Sequence, residues 1–585
     1  MRHRMRILKF VAAAGFFLLG NCSPRVPPTA IRIRWAHDPG TLDPLALPNQ
    51  QAVDVANLLH CGLLQIDYDR QFYAPSLAES LPTVQLIGDS LTRLSYRLRA
   101  AAAWDDGHPV LAHDVAFTLK LMYFPGLPNE GTRAQYSFIR ALRYDTNDAR
   151  SFTLECRGQS PGFALSSGDF PILSEAAFDP QHQLRRISLA QLQDWPTTAP
   201  LDSSLATLAK RYLALTAGSR AGYLASCGPY QLTAWKKDRY LSFRRKAHWW
   251  ADRLPNPPFV LRAQPRQLQF VIIPDAVTAS LALQRGEVDL YPQMPAPEFD
   301  RLRHSSTTRA ALNFYQATSY DIMYAGFNMR RPALADALTR QALSHLFDAA
   351  GLLRATQLGQ GQRTVGLIHP SNRADYNDSL ALVPYAPAKA AALLRQAGWQ
   401  RGAGTDGGWQ RRGSNGTTQF LHLQLRYRTG ESAFEVIAFQ FRAAAAQLGI
   451  PVVLQPTEAA VYTSSLQAGD FDVYVRVLKG NPFVFNFAPI LHSRAIGAGN
   501  FPGFGTLASD RLIEAVAAAD SPAHRARLLR RFQAMMQAEA PLVPLFFLAN
   551  CIAARRELTG LHVTGIKPGY AISALERVEQ PVPTP

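Results

Sequence analysis

Between Arg93 and Arg99 the chain alternates, with Leu94, Tyr96 and Leu98 on one side and Arg93, Arg97 and Arg99 among the rest. A period of two predicts a half-buried strand. Ile31, Ile33 and Trp35 alternate with Arg32 and Arg34 in the same way, and Leu421, Leu423, Leu425 and Tyr427 repeat it. Tyr324 to Phe327, Ile450 to Leu454 and Pro541 to Phe547 are denser apolar runs of strand length. Helical segments intervene: Ala52–Leu63, Leu281–Arg285 closed by Gly286, the stretch that Asp336 caps, Pro387–Gln396 and Phe434–Leu448. Ser521 followed by Pro522 predicts a helix start, because Pro has no amide hydrogen to lose in the first turn. Leu528, Leu529, Phe532, Met535 and Met536 form its buried stripe. After Asp106-Gly107, a turn signal, Asp114 is placed to cap a helix carrying Val115, Phe117, Leu119 and Met122.

One window joins strand, turn and helix: Tyr96, Leu98, Arg99, Trp104, Asp106, Gly107, Pro109, Ala112, Asp114, Val115, Phe117 and Thr118. In that order and spacing it resembles the signature of extracellular solute-binding proteins of family 5, the oligopeptide/dipeptide receptors of ABC importers. Further along, Pro75-Ser76-Leu77-Ala78-Glu79-Ser80, Gly228-Pro229-Tyr230, Gly286-Glu287-Val288-Asp289, Arg340-Gln341-Ala342-Leu343 and Gly469-Asp470-Phe471-Asp472 follow in family order. The resemblance covers about residues 31 to 548. It implies an α/β fold of the type II (cluster C) periplasmic-binding-protein kind, two mixed α/β lobes with a hinge plus an extra subdomain. The implied division is 31–48, 173–262 and 541–585 in lobe I, the last with a C-terminal tail, 49–172 in the extra subdomain and 263–540 in lobe II.

The N-terminus changes where such a fold would work. Arg2, Arg4, Arg6 and Lys9 precede an apolar run from Phe10 to Gly20, too short to span a bilayer. The pattern is that of an export signal. Leu19-Gly20-Asn21-Cys22 resembles a lipobox, with Asn21 where Gly or Ala is commoner, so 1–21 is expected to be removed and Cys22 lipidated. Residues 22–30, rich in Pro, form a stiff tether. Localisation in the periplasm or at the cell surface, held by that lipid, follows. Removing four cations lowers the net charge from +17 to +13. No dense basic run, helix-turn-helix or zinc spacing accompanies that charge, so no nucleic-acid partner is expected.

No His-Glu-x-x-His, Cys-x-x-Cys or P-loop occurs, and no catalysis, cofactor or metal is expected. Four cysteines follow Cys22, and four allow three pairings. The family architecture implies Cys61–Cys156 and Cys227–Cys551; buried free thiols are the alternative. The resemblance further implies that two lobes close on a peptide or other small polar solute and hand it to a permease and its ATPase, the receptor being a monomer. Peptide binders of the family use an aspartate soon after the Phe-Asp strand to pair with the peptide ammonium. Here no Asp or Glu occurs from 473 through 509, and Asn481 stands about where that aspartate would fall. Two readings stay open: an anionic or neutral ligand group facing Arg476, Lys479 or Asn481, or these residues facing solvent or a neighbouring strand while another acid meets the amine. Asp38 is the alternative acid for an amine, and Trp35, Tyr320, Tyr324, Phe483 and Phe485 are the candidate aromatic walls.

Overall fold

In the computed structural model the described residues are 30–88, 90–196, 200–217, 225–402, 408–413, 416–480, 482–483 and 485–578. The signal, Cys22 and Asn481 lie outside them.

Among these residues one mixed sheet of 11 strands runs through the molecule. Its order is Val452–Thr457, Leu423–Arg428, Val473–Leu478, Leu312–Phe327, Leu542–Arg555, Leu290–Tyr291, Ile31–Trp35, Gln267–Ile272, Tyr240–Arg245 and Tyr230–Lys236, with Gly361–Arg363 paired off the path. Ile31–Trp35 lies inside the sheet, parallel to both Leu290–Tyr291 and Gln267–Ile272. A parallel central strand is covered on both faces, which is why Ile31, Ile33 and Trp35 are all buried and Arg34 with them. Arg34 is accommodated by donating to the carbonyls of Ile273 (2.8 Å) and Pro274 (2.8 Å).

A second sheet of four antiparallel strands, Thr83–Ile87, Leu91–Arg97, Ser151–Arg157 and Ile139–Tyr144, carries the opening motif. Leu94 faces Leu154 and Tyr96 faces Phe152 across it, while Arg93 pairs with Glu155 and Arg97 with Asp148 on the solvent side. The helix after it begins at Ala112, two residues ahead of the expected cap. Asp114 instead lies in its first turn and accepts from Leu111 N (2.9 Å), Glu175 N (2.9 Å) and Trp104 Nε1 (3.3 Å). Spacing allowed either place; the donors arriving from Trp104 and Glu175 decide it.

Two strands tie the halves of the large sheet together. Leu312–Phe327 (16 residues) and Leu542–Arg555 (14 residues) run antiparallel to each other. The second continues well past Phe547, where the expected strand stopped. Their outer stretches pack into cores shared with Leu283, Tyr291 and Phe299 or with Ile33 and Leu290. Their other ends, with Met323, Phe327, Val543 and Phe546, enter a different core built on Leu425, Phe441 and Trp399. The lobes therefore exchange inside these two strands. Gln267–Ile272 and Leu290–Tyr291 flank Ile31–Trp35, so they sit in the half expected to end at 262, and Val543, Leu545 and Phe546 sit in the half expected to end at 540. The extra subdomain shares one continuous core with the first lobe, where Leu94, Phe117 and Phe170 join Ile33, Trp249 and Phe270.

All four described cysteines are buried free thiols. Cys61 lies beside Cys227, its amide 3.4 Å from that sulfur, and not beside Cys156. Sheet pairing sends Cys156 into the four-stranded sheet and Cys551 into a crossing strand, which overturns the implied pairing.

Candidate ligand site at the hinge

The register of the crossing strands breaks most widely in one place. Thr318 pairs with Ala549 and Ile322 with Phe547, so Ser319, Tyr320 and Asp321 oppose Leu548 alone. A smaller shift follows at once, between Met323 and Tyr324. A bulge of this kind bends a strand and re-aims its side chains. Glycine is required on both sides of it, since a Cβ at Gly480 would overlap the carbonyl of Tyr320 and one at Gly565 that of Thr318. The bulge is thus gripped between a second-lobe turn and a loop of the C-terminal segment.

Asp321 is buried there at 6% exposure. Its carboxylate receives Gly480 N (3.2 Å), Lys479 Nζ (3.1 Å) and Lys567 Nζ (2.8 Å). Lys479 follows the strand Val473–Leu478 of the second lobe, whereas the loop bearing Lys567 is held to the first lobe by Tyr68, whose hydroxyl donates to the Lys567 carbonyl (3.0 Å). Burial pushes the Lys567 ammonium down to about 8, with Asp321 opposing that shift and Lys479 adding to it. One carboxylate serving two ammonium groups leaves one positive charge over at neutral pH, and Lys479 keeps most of its side chain in solvent.

Around this charge stand aromatic groups. Tyr320 meets the His369 ring edge-on at 5.3 Å, and His369 lies 4.5 Å from the Phe547 ring. Burial pushes His369 down to about 4, which keeps the imidazole neutral, and its Nε2 has no hydrogen-bond partner among the described residues. Phe483 spans the lobes, with its ring 5.6 Å from Phe72 and 5.1 Å from Tyr73.

Of the sequence-expected residues, Tyr320 and Lys479 lie at this bulge, and Phe483 packs against the first lobe at Tyr73. Others lie elsewhere. Trp35 is 3% exposed and stacks on Phe270 at 3.9 Å inside the first lobe. Tyr324 packs edge-on to Tyr474 in the second-lobe core, Arg476 lies over Phe501 and Phe485 beneath Arg525. Asp38 is spent on its own lobe, accepting from Gly40 N (2.9 Å), Trp235 Nε1 (3.0 Å) and Asp238 N (2.9 Å). Asp321 and Lys567 went unrecognised. The available signals were a polar Thr318-Ser319-Tyr320-Asp321 break in an apolar strand and the turn-forming Gly565-Ile566-Lys567-Pro568-Gly569.

Residues 73–491 match the model of the bacterial extracellular solute-binding proteins, family 5 Middle. The chain belongs to that family. It is 24% identical over 320 residues to heme-binding protein A of Haemophilus influenzae, covering 54% of this chain and 53% of that one. It is 24% identical over 336 residues to the dipeptide-binding protein of Escherichia coli, covering 57% and 58%. In these matches the chain spans little more than half the length of each relative. The oligopeptide binding protein of Thermus thermophilus, solved with a pentapeptide, superposes with a TM-score of 0.71 at 20% identity, over 93% of this chain and 94% of that one. The fold is therefore the mixed α/β periplasmic-binding-protein fold of the family 5 type, and the family is one of binding proteins.

Proposed function

We propose that this chain is the extracytoplasmic substrate-binding receptor of an ABC importer, capturing a peptide or peptide-like solute by lobe closure and delivering it to a membrane permease and its ATPase. The observation that carries this reading is the pair of long strands whose wider register break coincides with a buried ion cluster joining both lobes. Two cores linked through a bulge can rotate against each other, and a ligand that touches both favours the closed state by its differential affinity. Supporting it are family membership and the peptide bound to the structural relative.

The leftover positive charge at the hinge makes a ligand carboxylate the group read there, with Tyr320 and Phe483 as apolar walls and the His369 imidazole as a polar handle. A charge-assisted hydrogen bond shielded by closure is about twice as strong as a neutral one. The receptor performs no bond chemistry and is anchored through Cys22 as a monomer. X-ray scattering with free and C-amidated peptides tests the reading. Compaction by free peptides, with affinity lost about tenfold on amidation, supports it. Equal binding of both forms removes the carboxylate reading; absence of any compaction removes the receptor.

A further inference from the structure

A cavity of the first lobe backs onto the loop that carries Lys567, through Tyr68 and Pro568. About 410 Å³ of space opens between Gln50–Leu59, the strands Leu64–Asp67 and Phe72–Pro75 and the segments near 132–136, 169–171, 259–262 and 568–573. Its size falls in the range of small-molecule sites. No residue from 313 to 548 lines it. Its walls are mostly apolar, with Leu58, Met122, Phe170 and Trp249 among them, and two carboxyl groups reach it, Asp54 and Asp169.

The two carboxyls differ in what they still need. Asp169 accepts from the Tyr73 hydroxyl (3.0 Å) and the Tyr136 hydroxyl (2.8 Å), one on each oxygen. Asp54 is 2% exposed and accepts only from Gln50 Nε2 (2.8 Å), on Oδ1. Its Oδ2 has no hydrogen-bond or ion-pair partner among the described residues. Beside it the Tyr570 hydroxyl is buried and equally without a partner among them, its phenol pushed well above the usual value by burial and by the Asp54 charge. An ionised carboxylate in such a place has no counter-charge at ion-pair distance, and burying one without close compensation costs several kcal/mol.

We propose that this first-lobe cavity binds a small organic ammonium, its charged head on Asp54 Oδ2 and its apolar body against Leu58, Met122, Phe170 and Trp249. Burial raises both acids there, Asp54 to about 7 and Asp169, whose two oxygens are bonded, to about 6. The other charged groups facing Asp54 and the cavity are Lys567, which stabilises the Asp54 anion from beyond ion-pair distance, and the exposed Arg262. A bound ammonium favours the ionised carboxyl, so binding expels the proton that Asp54 holds below neutrality. This site requires no lobe closure and stands apart from the import reading.

The test uses phenethylamine and its neutral isostere 2-phenylethanol, titrated by calorimetry into the full-length protein at pH 8 and pH 5. The amine binds about tenfold tighter than the alcohol at pH 8 and within about twofold at pH 5, where Asp54 is protonated. Asp54→Asn brings the amine to the affinity of the alcohol and leaves the alcohol unchanged, and Val53→Phe, which fills the cavity, removes both. Equal affinities at pH 8, or an amine preference that survives Asp54→Asn, overturn the proposal. Should Asp54→Asn fail to fold, buffers of different ionisation enthalpy decide with the unaltered protein near pH 7. Proton release with the amine and not with the alcohol upholds the site, and its absence refutes it.

Discussion

Asp38 and Asp321 are both buried carboxylates beside the same large sheet, yet they do different things. Asp38 is surrounded by neutral N–H donors of its own lobe, and none of its bonds crosses to the other. Asp321 sits in a strand bulge with ammonium groups from two directions and more positive charge than it cancels. A carboxylate whose acceptor capacity is filled by local amides is architecture. One that belongs to an unbalanced cluster at a hinge is coupled both to motion and to whatever charge arrives. Asp114 belongs to the first kind, with Leu111, Glu175 and Trp104 all donating to it.

The largest expected effect tests the architectural side. Asp114→Ala leaves three donors without their acceptor and lowers stability by about 3–5 kcal/mol, since each buried orphan costs about 1–3, measured as a fall in Tm. Next, Asp321→Ala abandons Lys567 and the Gly480 amide and costs about 2–3 kcal/mol, less than a fully buried pair because both lysines keep some water. Unlike Asp114→Ala, it also changes ligand-driven compaction in scattering. Asp38→Ala costs about 1–3 kcal/mol and leaves ligand affinity where it was; a loss of affinity there would erase the distinction between the two aspartates. Lys479→Ala changes stability by less than about 1 kcal/mol, as exposed pairs do, but weakens binding of solutes with a free carboxylate.

A separate effect concerns pH. Burial pushes Asp114 up to about 6, above its value in the unfolded chain. A raised acid favours the folded state below the unfolded pKa, and that advantage is lost as pH rises through about 6. Asp114→Asn therefore flattens the Tm profile between about pH 4 and 6, where the unaltered protein loses stability with rising pH from this group.

Local chemistry wrote much of this protein plainly. Pro387–Gln396 and Pro522–Glu539 are helices where their start signals stand, and Gly286 and Gly107 adopt positive φ where helix end and turn need it. These signals act within a few residues, so a linear reading captures them. The site was less legible. Trp35 and Tyr324 were expected as aromatic walls on the same chemistry as Tyr320 and Phe483, yet they are buried in the cores. Nothing local distinguishes a ring that faces a cleft from one that faces a strand.

The amino-acid order by itself determined the periodic elements, the turns and the family, because propensity, capping and alternation are settled by near neighbours. Only the tertiary structure decided that Asp321 meets Lys479 and Lys567, that Cys61 lies beside Cys227, and that Asp54 faces a cavity with one oxygen unmet. The first three pairings join residues from about 150 to 250 positions apart, and burial, which sets each charge's need for a partner, exists only once the distant segments have packed.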